Sequence, residues 1–389
     1  MPLLPLKIIV YPDQRHPLQR QLLLNYRNEI DFNRHRLPMN DIPITVKRSI
    51  ELLGLLAVGF ILSAGKYIIV PLLLALFISI LLLPLFRFFR KIGIPEIAAI
   101  LLPIVCLTIF AGGIGWLFYD QLSSFLQDLP AISRNINRLL DHLSIWIRKV
   151  FGYSPDEQLT ILHQNNDRLL AYVESALKQT VTSLSRWFVL FGILPAYIFF
   201  ILFYRKIFIK FITMSVRKRG QEEAGRIIPL LERVVLRYLV GLLIQFSYII
   251  ILLGCTLTLA GIKHGFLIGI LFAFLNLIPY LGPLIGNILG IVIVLASSEN
   301  LLDVLIVFGA IAVVQFLDNN ILMPRIVGAQ VKINALVSIA GIFTGGALAG
   351  ISGMFLAMPV IAVIKIIFDH SAGFRNWGVL LGDDRSPNT

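Results

Sequence analysis

Long apolar segments separated by polar breaks dominate the chain. A membrane-spanning helix needs about 20 consecutive apolar residues, and the alternating pattern typical of a transmembrane β-barrel is absent. The pattern therefore predicts an all-α polytopic membrane protein with about 7–8 membrane segments, some of them re-entrant or broken. The predicted uninterrupted spans are 50–62, 67–86, 97–119, 187–203, 238–262 and 301–317.

Two further apolar segments, 265–297 and 335–368, carry polar or flexible residues at their centres. In the first, Pro279 and Pro283 each remove a backbone N–H and disfavour helix in the preceding residue. An arm of about fourteen residues reaches only about 21 Å, which is short of an apolar core about 30 Å thick. The arm lengths favour a hairpin that turns back to the same side of the membrane, rather than a single kinked helix that crosses it. The central residues are Asn276, Pro279, Tyr280, Gly282, Pro283, Gly286 and Asn287 in the first segment and Gly345, Gly346 and Gly350 in the second.

The segment 120–186 has a different composition, with balanced charges and apolar residues at helical spacing such as Leu122, Phe125 and Leu129. These stripes are typical of amphipathic helices in water or at a membrane surface. We predict a helical insert between the third and fourth spans, with a turn at 152–155.

Charge then gives a topology. Only 14% of the 389 residues are charged, against about 25% in soluble domains. The net charge of +12 arises from basic residues beside apolar spans, which is typical of cytoplasmic loops and does not indicate a nucleic-acid partner. The basic arm 1–48, the cluster 87–91 and the segment 205–226 fall on one side if the first four spans alternate. This predicts a cytoplasmic N-terminus and an extracytoplasmic insert.

Paired broken segments indicate a transport site, because half-helix ends present dipoles and free carbonyls to a substrate. Close helix packing is the alternative reading of the glycines, and we favour it for Gly269 and Gly290. The cluster 276–287 adds two prolines and two asparagines, which packing does not need. No Lys or Arg occurs between 265 and 324, so the segment suits a neutral polar solute. The residues that could hydrogen-bond such a solute are Asn276, Tyr280, Asn287, Gln315 and Asn319.

A second polar motif, at 318–328, follows the span 301–317. Asp318 could be a coupling or structural site, an interfacial anchor, or an ion-pair partner of Arg325. Pro324 and Gly328 give this loop a defined turn. Proton coupling needs a buried carboxylate, and Asp303 and Asp318 are the candidates.

Catalysis has little support in the sequence. His163, His264 and His370 are isolated, and none has a companion at metal-ligand spacing. We find no ATP-binding motif and predict no metal, cofactor or catalytic residue, so that transport would be gradient-driven or passive.

Three motifs resemble the signature of the autoinducer-2 exporter family: N-x-x-P-Y-x-G-P-x-x-G from Asn276, D-N-N-x-L-M-P-R-I-V-G from Asp318, and the glycine run from Gly345 to Met354. The resemblance covers most of the chain but not the basic arm, and Ala335 replaces a frequent family proline. It implies a bacterial inner-membrane transporter that exports a small polar solute such as a signalling molecule. It also implies a homo-oligomer, with a pentamer as the state carried over, in contact with membrane lipid.

Two alternatives stay open. Some relatives resemble cation/proton antiporters, and a non-catalytic membrane scaffold or lipid-handling protein is the alternative outside transport. The predicted regions are the arm 1–48, three spans in 49–119, the insert 120–186, the fourth span and basic segment 187–232, the transport core 233–370 and the polar tail 371–389.

Overall fold

A computed structural model of the protein describes residues 43–151, 175, 192–215, 218–298, 300–322, 333–371 and 373–383. Within these residues, six helices are long and apolar enough to cross a membrane, and two more are apolar but short. The described backbone is helical apart from turns and one isolated bridge between Ile333 and Gly382. The all-α polytopic prediction is therefore confirmed.

The helices follow one another as α1 (Ile44–Ala64), α2 (Lys66–Lys91), α3 (Glu96–Phe151), α4 (Gly192–Ser215), α5 (Lys218–Ile249), α6 (Cys255–Leu259), α7 (Gly265–Asn276), α8 (Leu281–Ser297), α9 (Leu301–Leu317), α10 (Ala335–Asp369) and α11 (Arg375–Leu381). A π-helical turn, Ile250–Gly254, joins α5 to α6, and a second, Asp318–Leu322, follows α9. Of the described residues, 43–60 belong to one compact unit and those from Ile61 onward to another.

The predicted first span, 50–62, lies within α1 but is not among the six long apolar helices. Lys47, Arg48 and Glu51 leave an apolar part shorter than the roughly 20 residues that a span needs. Arg48 Nη1 lies 3.4 Å from Glu51 Oε2 within the same helix.

No helix end marks the predicted boundary between the third span and the insert, at about 119. Helix α3 runs without interruption from Glu96 to Phe151, and Pro130 is accommodated inside it. No cluster of turn residues separates the two parts, and Leu122 and Phe125 of the insert stripe are buried against the rest of the fold. The predicted turn at 152–155 lies outside the described residues.

The basic segment 205–226 is largely helical rather than a loop. Helix α4 continues to Ser215, and α5 begins at Lys218. Long basic side chains can extend from helix ends toward water, so they do not end the helix. The helix that contains the predicted fifth span, 238–262, accordingly begins well before it, and its range as a candidate span is Glu223–Leu259.

The first broken segment forms a helical hairpin, as the arm lengths favoured. Its arms α7 and α8 are joined by four residues that end at Tyr280, whose φ is +67°. Gly282 lies against the backbone of Leu275, Gly286 against the Phe272 ring, and Gly290 against Ile268. The residue numbers on α8 increase as those of their contact partners on α7 decrease, so the two arms are antiparallel.

The second broken segment, α10, also folds back on itself and forms the second hairpin. The backbone dihedral angles are non-helical at Ala349 and at Gly350, and the φ of Gly350 is +65°. Gly345 lies against Gly353 and Gly341 against Ile361, so the arms on either side of this break are antiparallel. Its two ends are held together through α11. Asn334 Nδ2 donates to the Leu380 carbonyl at 2.7 Å, and Gly378 packs against Asp369.

The core surrounds the first hairpin. Its buried side chains, including Leu267, Ile270 and Phe272, pack with Leu122 of α3 and Ile311 of α9. At the hairpin tip, Ile278 packs against Ile342 and Ala357 of the second hairpin. The second hairpin also contacts α2 and α5, through a cluster of Phe77, Val235, Leu239 and Leu356.

Candidate functional site

Three of the six polar or charged side chains that are buried among the described residues meet at one place. Asp318, only 3% exposed, lies where α9 passes into its π-helical turn. Its carboxylate accepts hydrogen bonds from Gln245 Nε2 at 2.8 Å, Tyr248 Oη at 2.5 Å and Asn276 Nδ2 at 3.3 Å. We call these four residues the Asp318 site.

The fold brings this site together from three elements. Gln245 and Tyr248 are three residues apart on α5, so they share one face of that helix. Asn276 is the last residue of α7, immediately before the hairpin tip. Asp318 therefore connects α9 to α5 and to the end of α7 next to the hairpin tip.

Charge at the site is uncompensated by the described residues. Within the part of the chain that the structure covers, the ion pairs lie elsewhere and none includes Asp318. The predicted partner Arg325 lies outside the described residues. Burial of an unpaired carboxylate is costly even when neutral groups donate to it. A proton or a small cation would remove that cost.

Two further buried atoms in this region lack hydrogen-bond partners among the described residues: Gln245 Oε1 and Gln315 Nε2. The Gln245 oxygen belongs to the same amide group that donates to Asp318. Carboxylate and amide oxygens together are ligands for a hard cation. Gln315, a predicted site residue, lies one helical turn before Asp318.

The remaining residues of the first hairpin lie around its tip. Tyr280 is 54% exposed, while Gly282 and Gly286 are buried and allow the arms to approach. Asn287 Nδ2 donates to the Pro283 carbonyl within α8 at 2.7 Å. Pro279 lies in the turn between the arms. Of these hairpin residues, Asn276 is the one bonded to Asp318.

The other predicted residues are spread over two elements. Asn319 is exposed in the π-helical turn next to Asp318. Gly345 and Gly346 face Gly353 and Met354 across the second hairpin, and Gly350 forms its bend. Pro324 and Gly328 lie outside the described residues. Asp303, the other candidate carboxylate, accepts from Ser298 Oγ at the start of α9, far along the helix from Asp318.

Sequence reasoning missed Gln245 and Tyr248, because both fall inside an apolar run that indicates an ordinary span. Their spacing of three residues on one helix face was the available signal, since it places two hydrogen-bonding groups together inside a membrane segment.

A second polar cluster fastens α3 to the start of the first hairpin. Asp128 Oδ2 lies 2.8 Å from Lys263 Nζ and 3.2 Å from His264 Nε2. His264 is 1% exposed, and its ring meets Phe125 edge-on. Burial lowers the pKa of His264 below its ordinary value, and the Asp128 charge opposes this effect.

Comparison with known proteins identifies the family. The sequence model of one protein family, described as "AI-2E family transporter", matches residues 51–373 of the chain. The chain is 27% identical to "Putative transport protein YrrI" of Bacillus subtilis, over 80% of this chain and 88% of YrrI. It is also 27% identical to "AI-2 transport protein TqsA" of Escherichia coli, over 88% of this chain and 98% of TqsA. The long apolar helices, the two hairpins and this match over most of the sequence lead to one conclusion: the chain is a membrane transporter and belongs to the AI-2E family.

Proposed function

We propose that the protein is a gradient-driven exporter of a small polar solute such as a signalling molecule, in which the Asp318 site couples transport to protons. The observation that carries the proposal is the buried carboxylate of Asp318, which joins α5, α9 and the tip of the first hairpin through three neutral donors. The proposal includes no catalytic step.

The coupling follows from hydrogen-bond chemistry. An ionised Asp318 is an acceptor only and suits the three groups that donate to it. After protonation it has a donor of its own, and at least one of these contacts must rearrange. Asn276 contributes the longest bond, at 3.3 Å, and it is attached to the hairpin tip. Protonation would thus release the tip, which is the kind of movement that alternating access requires.

A neutral polar substrate suits the surroundings. The hairpins and α9 contribute amides and hydroxyls to this region, and no Lys or Arg occurs between 265 and 324. Export of an AI-2-like molecule is supported further by the name of the relative TqsA.

A cation/proton antiporter is the second candidate, and one observation favours it. Gln245 Oε1 is buried without a partner among the described residues, beside a carboxylate that no described basic residue neutralises. A desolvated Na⁺ could take the Asp318 carboxylate and the Gln245 oxygen as ligands, so that a cation and a proton would compete for one site.

Flux in liposomes tests both candidates. The purified protein is reconstituted, and AI-2 efflux and Na⁺/H⁺ exchange are each measured with and without a pH gradient. Asp318→Asn should remove the dependence of AI-2 efflux on the gradient while downhill efflux continues. Asp303→Asn is the matched control, because it makes the same change at the opposite end of α9 and should retain the dependence.

The outcomes separate the alternatives. Na⁺/H⁺ exchange without AI-2 flux, lost in Asp318→Asn, would establish the antiporter instead. Gradient-dependent AI-2 efflux that persists in Asp318→Asn would refute the coupling role. The absence of both activities in the wild-type protein would refute transport of these solutes and favour the scaffold.

We also propose that the protein is a homo-oligomer, by resemblance a pentamer, in a bacterial inner membrane with its N-terminus in the cytoplasm. Large apolar side chains exposed along α3, such as Ile109 at 70% and Trp116 at 70%, support a lipid or subunit contact on this helix. Chemical cross-linking in native membranes would count the subunits, and a monomer would refute the assignment.

A further inference from the structure

A cavity of about 490 Å³ lies between α2, α4 and α5, away from the Asp318 site. Each helix lines it with one face. Ile80, Leu83 and Arg87 come from α2, and Ile209 and Thr213 come from α4. The α5 residues are Gly225, Ile228, Pro229, Glu232, Arg233 and Leu236. The volume is in the range of small-molecule sites, which is about 300–1,000 Å³.

The charged lining is net positive. Arg87 Nη2 forms an ion pair with Glu232 Oε2 at 2.7 Å, which accounts for one cation and the only acidic residue of the lining. Arg233 is a second cation of the lining, its residue is exposed, and no contact to a described acidic residue is seen for it. One positive charge is therefore left over for a ligand.

A third arginine, outside the lining itself, lies next to the Arg87–Glu232 ion pair. Arg205 of α4 lies over the ring of Phe86 at 5.1 Å and interacts electrostatically with both Arg87 and Glu232. Its Nη1 is buried and has no hydrogen-bond partner among the described residues. Because unsatisfied buried donors are rare, this atom is an independent indication of a missing acceptor.

The charged residues of the lining have apolar neighbours on both sides along α5, at Ile228 and Pro229 before Glu232 and at Leu236 after it. Arg87 pairs with Glu232, while Phe77 packs in one cluster with Val235 and Leu239, so α2 and α5 run in opposite directions. Leu83 and Ile80 therefore lie on the same side of the ion pair as Leu236. This end is apolar, and the arginines border it. A ligand that fits both parts has an anionic head and a hydrocarbon chain.

We propose that this cavity binds the phosphate head of an anionic membrane phospholipid, with Arg233 and Arg205 at the phosphate and an acyl chain along Ile80, Leu83 and Leu236. Basic pockets between membrane helices commonly bind such head groups. The arginines belong to the face that the basic segments predict to be cytoplasmic, where anionic lipids are enriched. The site does not depend on the proposed function of Asp318.

Native mass spectrometry of the full chain in detergent tests the proposal. The protein is titrated with phosphatidylglycerol, with phosphatidylethanolamine of the same chains, and with inorganic phosphate as a competitor. We expect phosphatidylglycerol to bind more tightly than phosphatidylethanolamine, and millimolar phosphate not to displace it. Equal binding of the two lipids, or displacement by phosphate, would overturn the lipid assignment.

Three variants locate the site. Arg233→Gln should weaken phosphatidylglycerol binding about five-fold, the effect of one basic residue on an anionic lipid. Arg237→Gln removes the same charge one turn further along α5, outside the lining, and should leave the affinity unchanged. Glu232→Gln frees Arg87 from its ion pair and should strengthen binding by a similar factor.

The gain expected for Glu232→Gln cannot arise from a damaged fold. Weaker binding in this variant, or equal losses in the two arginine variants, would overturn the site.

Discussion

The packing of the first hairpin can be tested by adding one methyl group at Gly282. A Cβ there would fall on the carbonyl oxygen of Leu275 and the Cα of Asn276. These are backbone atoms, so they cannot turn aside as the end of a side chain can. The arms must separate, and the displacement reaches Asn276 in the Asp318 site.

The expected cost follows from two opposing effects. Overpacking costs about 1–3 kcal/mol, and a rigid backbone obstacle places Gly282→Ala in the upper part of that range. The higher helix propensity of alanine offsets less than about 1 kcal/mol of this cost, because Gly282 is only the second residue of α8. We expect a net loss of about 2 kcal/mol in the free energy of unfolding.

Gly309→Ala is the matched control. Gly309 lies inside α9, and no atom lies within 4 Å of a Cβ added there. The same substitution should therefore stabilise the protein by about 0.5–1 kcal/mol. The assay is thermal unfolding in one detergent, in which we expect the melting temperature of Gly282→Ala to fall by roughly 2 °C. A melting temperature equal to or above that of Gly309→Ala would refute the antiparallel packing of the arms.

Two further predictions concern buried polar groups. Tyr248→Phe removes the hydroxyl that donates to Asp318 and should cost about 1.5–3 kcal/mol, measured by unfolding at neutral pH. Tyr238→Phe is its control, because the Tyr238 hydroxyl is buried without a partner among the described residues, and an equal loss there would contradict the bond to Asp318. The second prediction is a fall in stability as the pH drops below about 6.5, because burial lowers the pKa of His264 in the folded state and the unfolded chain takes up the proton first. His264→Gln should flatten the dependence of the melting temperature on pH between pH 7 and 5 relative to wild type, whereas an unchanged slope would refute the role of His264.

The sequence predicted those parts of the fold that local chemistry decides. Pro279 and Pro283 remove backbone donors, and Gly350 permits a positive φ, so the breaks in both segments could be predicted. A hairpin was predicted for the first segment only, from the lengths of its arms. The end of the third span could not be placed, because charge balance changes at Asp120 while the helix continues. A change in solvent does not require a change in backbone.

The Asp318 site was only half predictable for a different reason. Asp318 and Asn276 attract notice as polar groups beside breaks in apolar runs. Gln245 and Tyr248 lie more than sixty positions before Asp318, and only the packing of α5 against the hairpin and α9 brings them to it. Local patterns carry no information about that convergence. The Arg87–Glu232 pair, which crosses from α2 to α5, was missed for the same reason.

The uninterrupted course of α3 has a mechanical consequence. At about 1.5 Å per residue its 56 residues extend about 84 Å, nearly three times the thickness of the apolar core of a bilayer. Leu122 and Phe125 anchor the helix against the first hairpin, and the 23 residues after Asp128 continue for about 35 Å. A tilt of about 10° at this anchor would displace the far end by about 6 Å over that length. A small rearrangement around the hairpin would therefore produce a much larger displacement at Phe151, where a single spectroscopic label could record it.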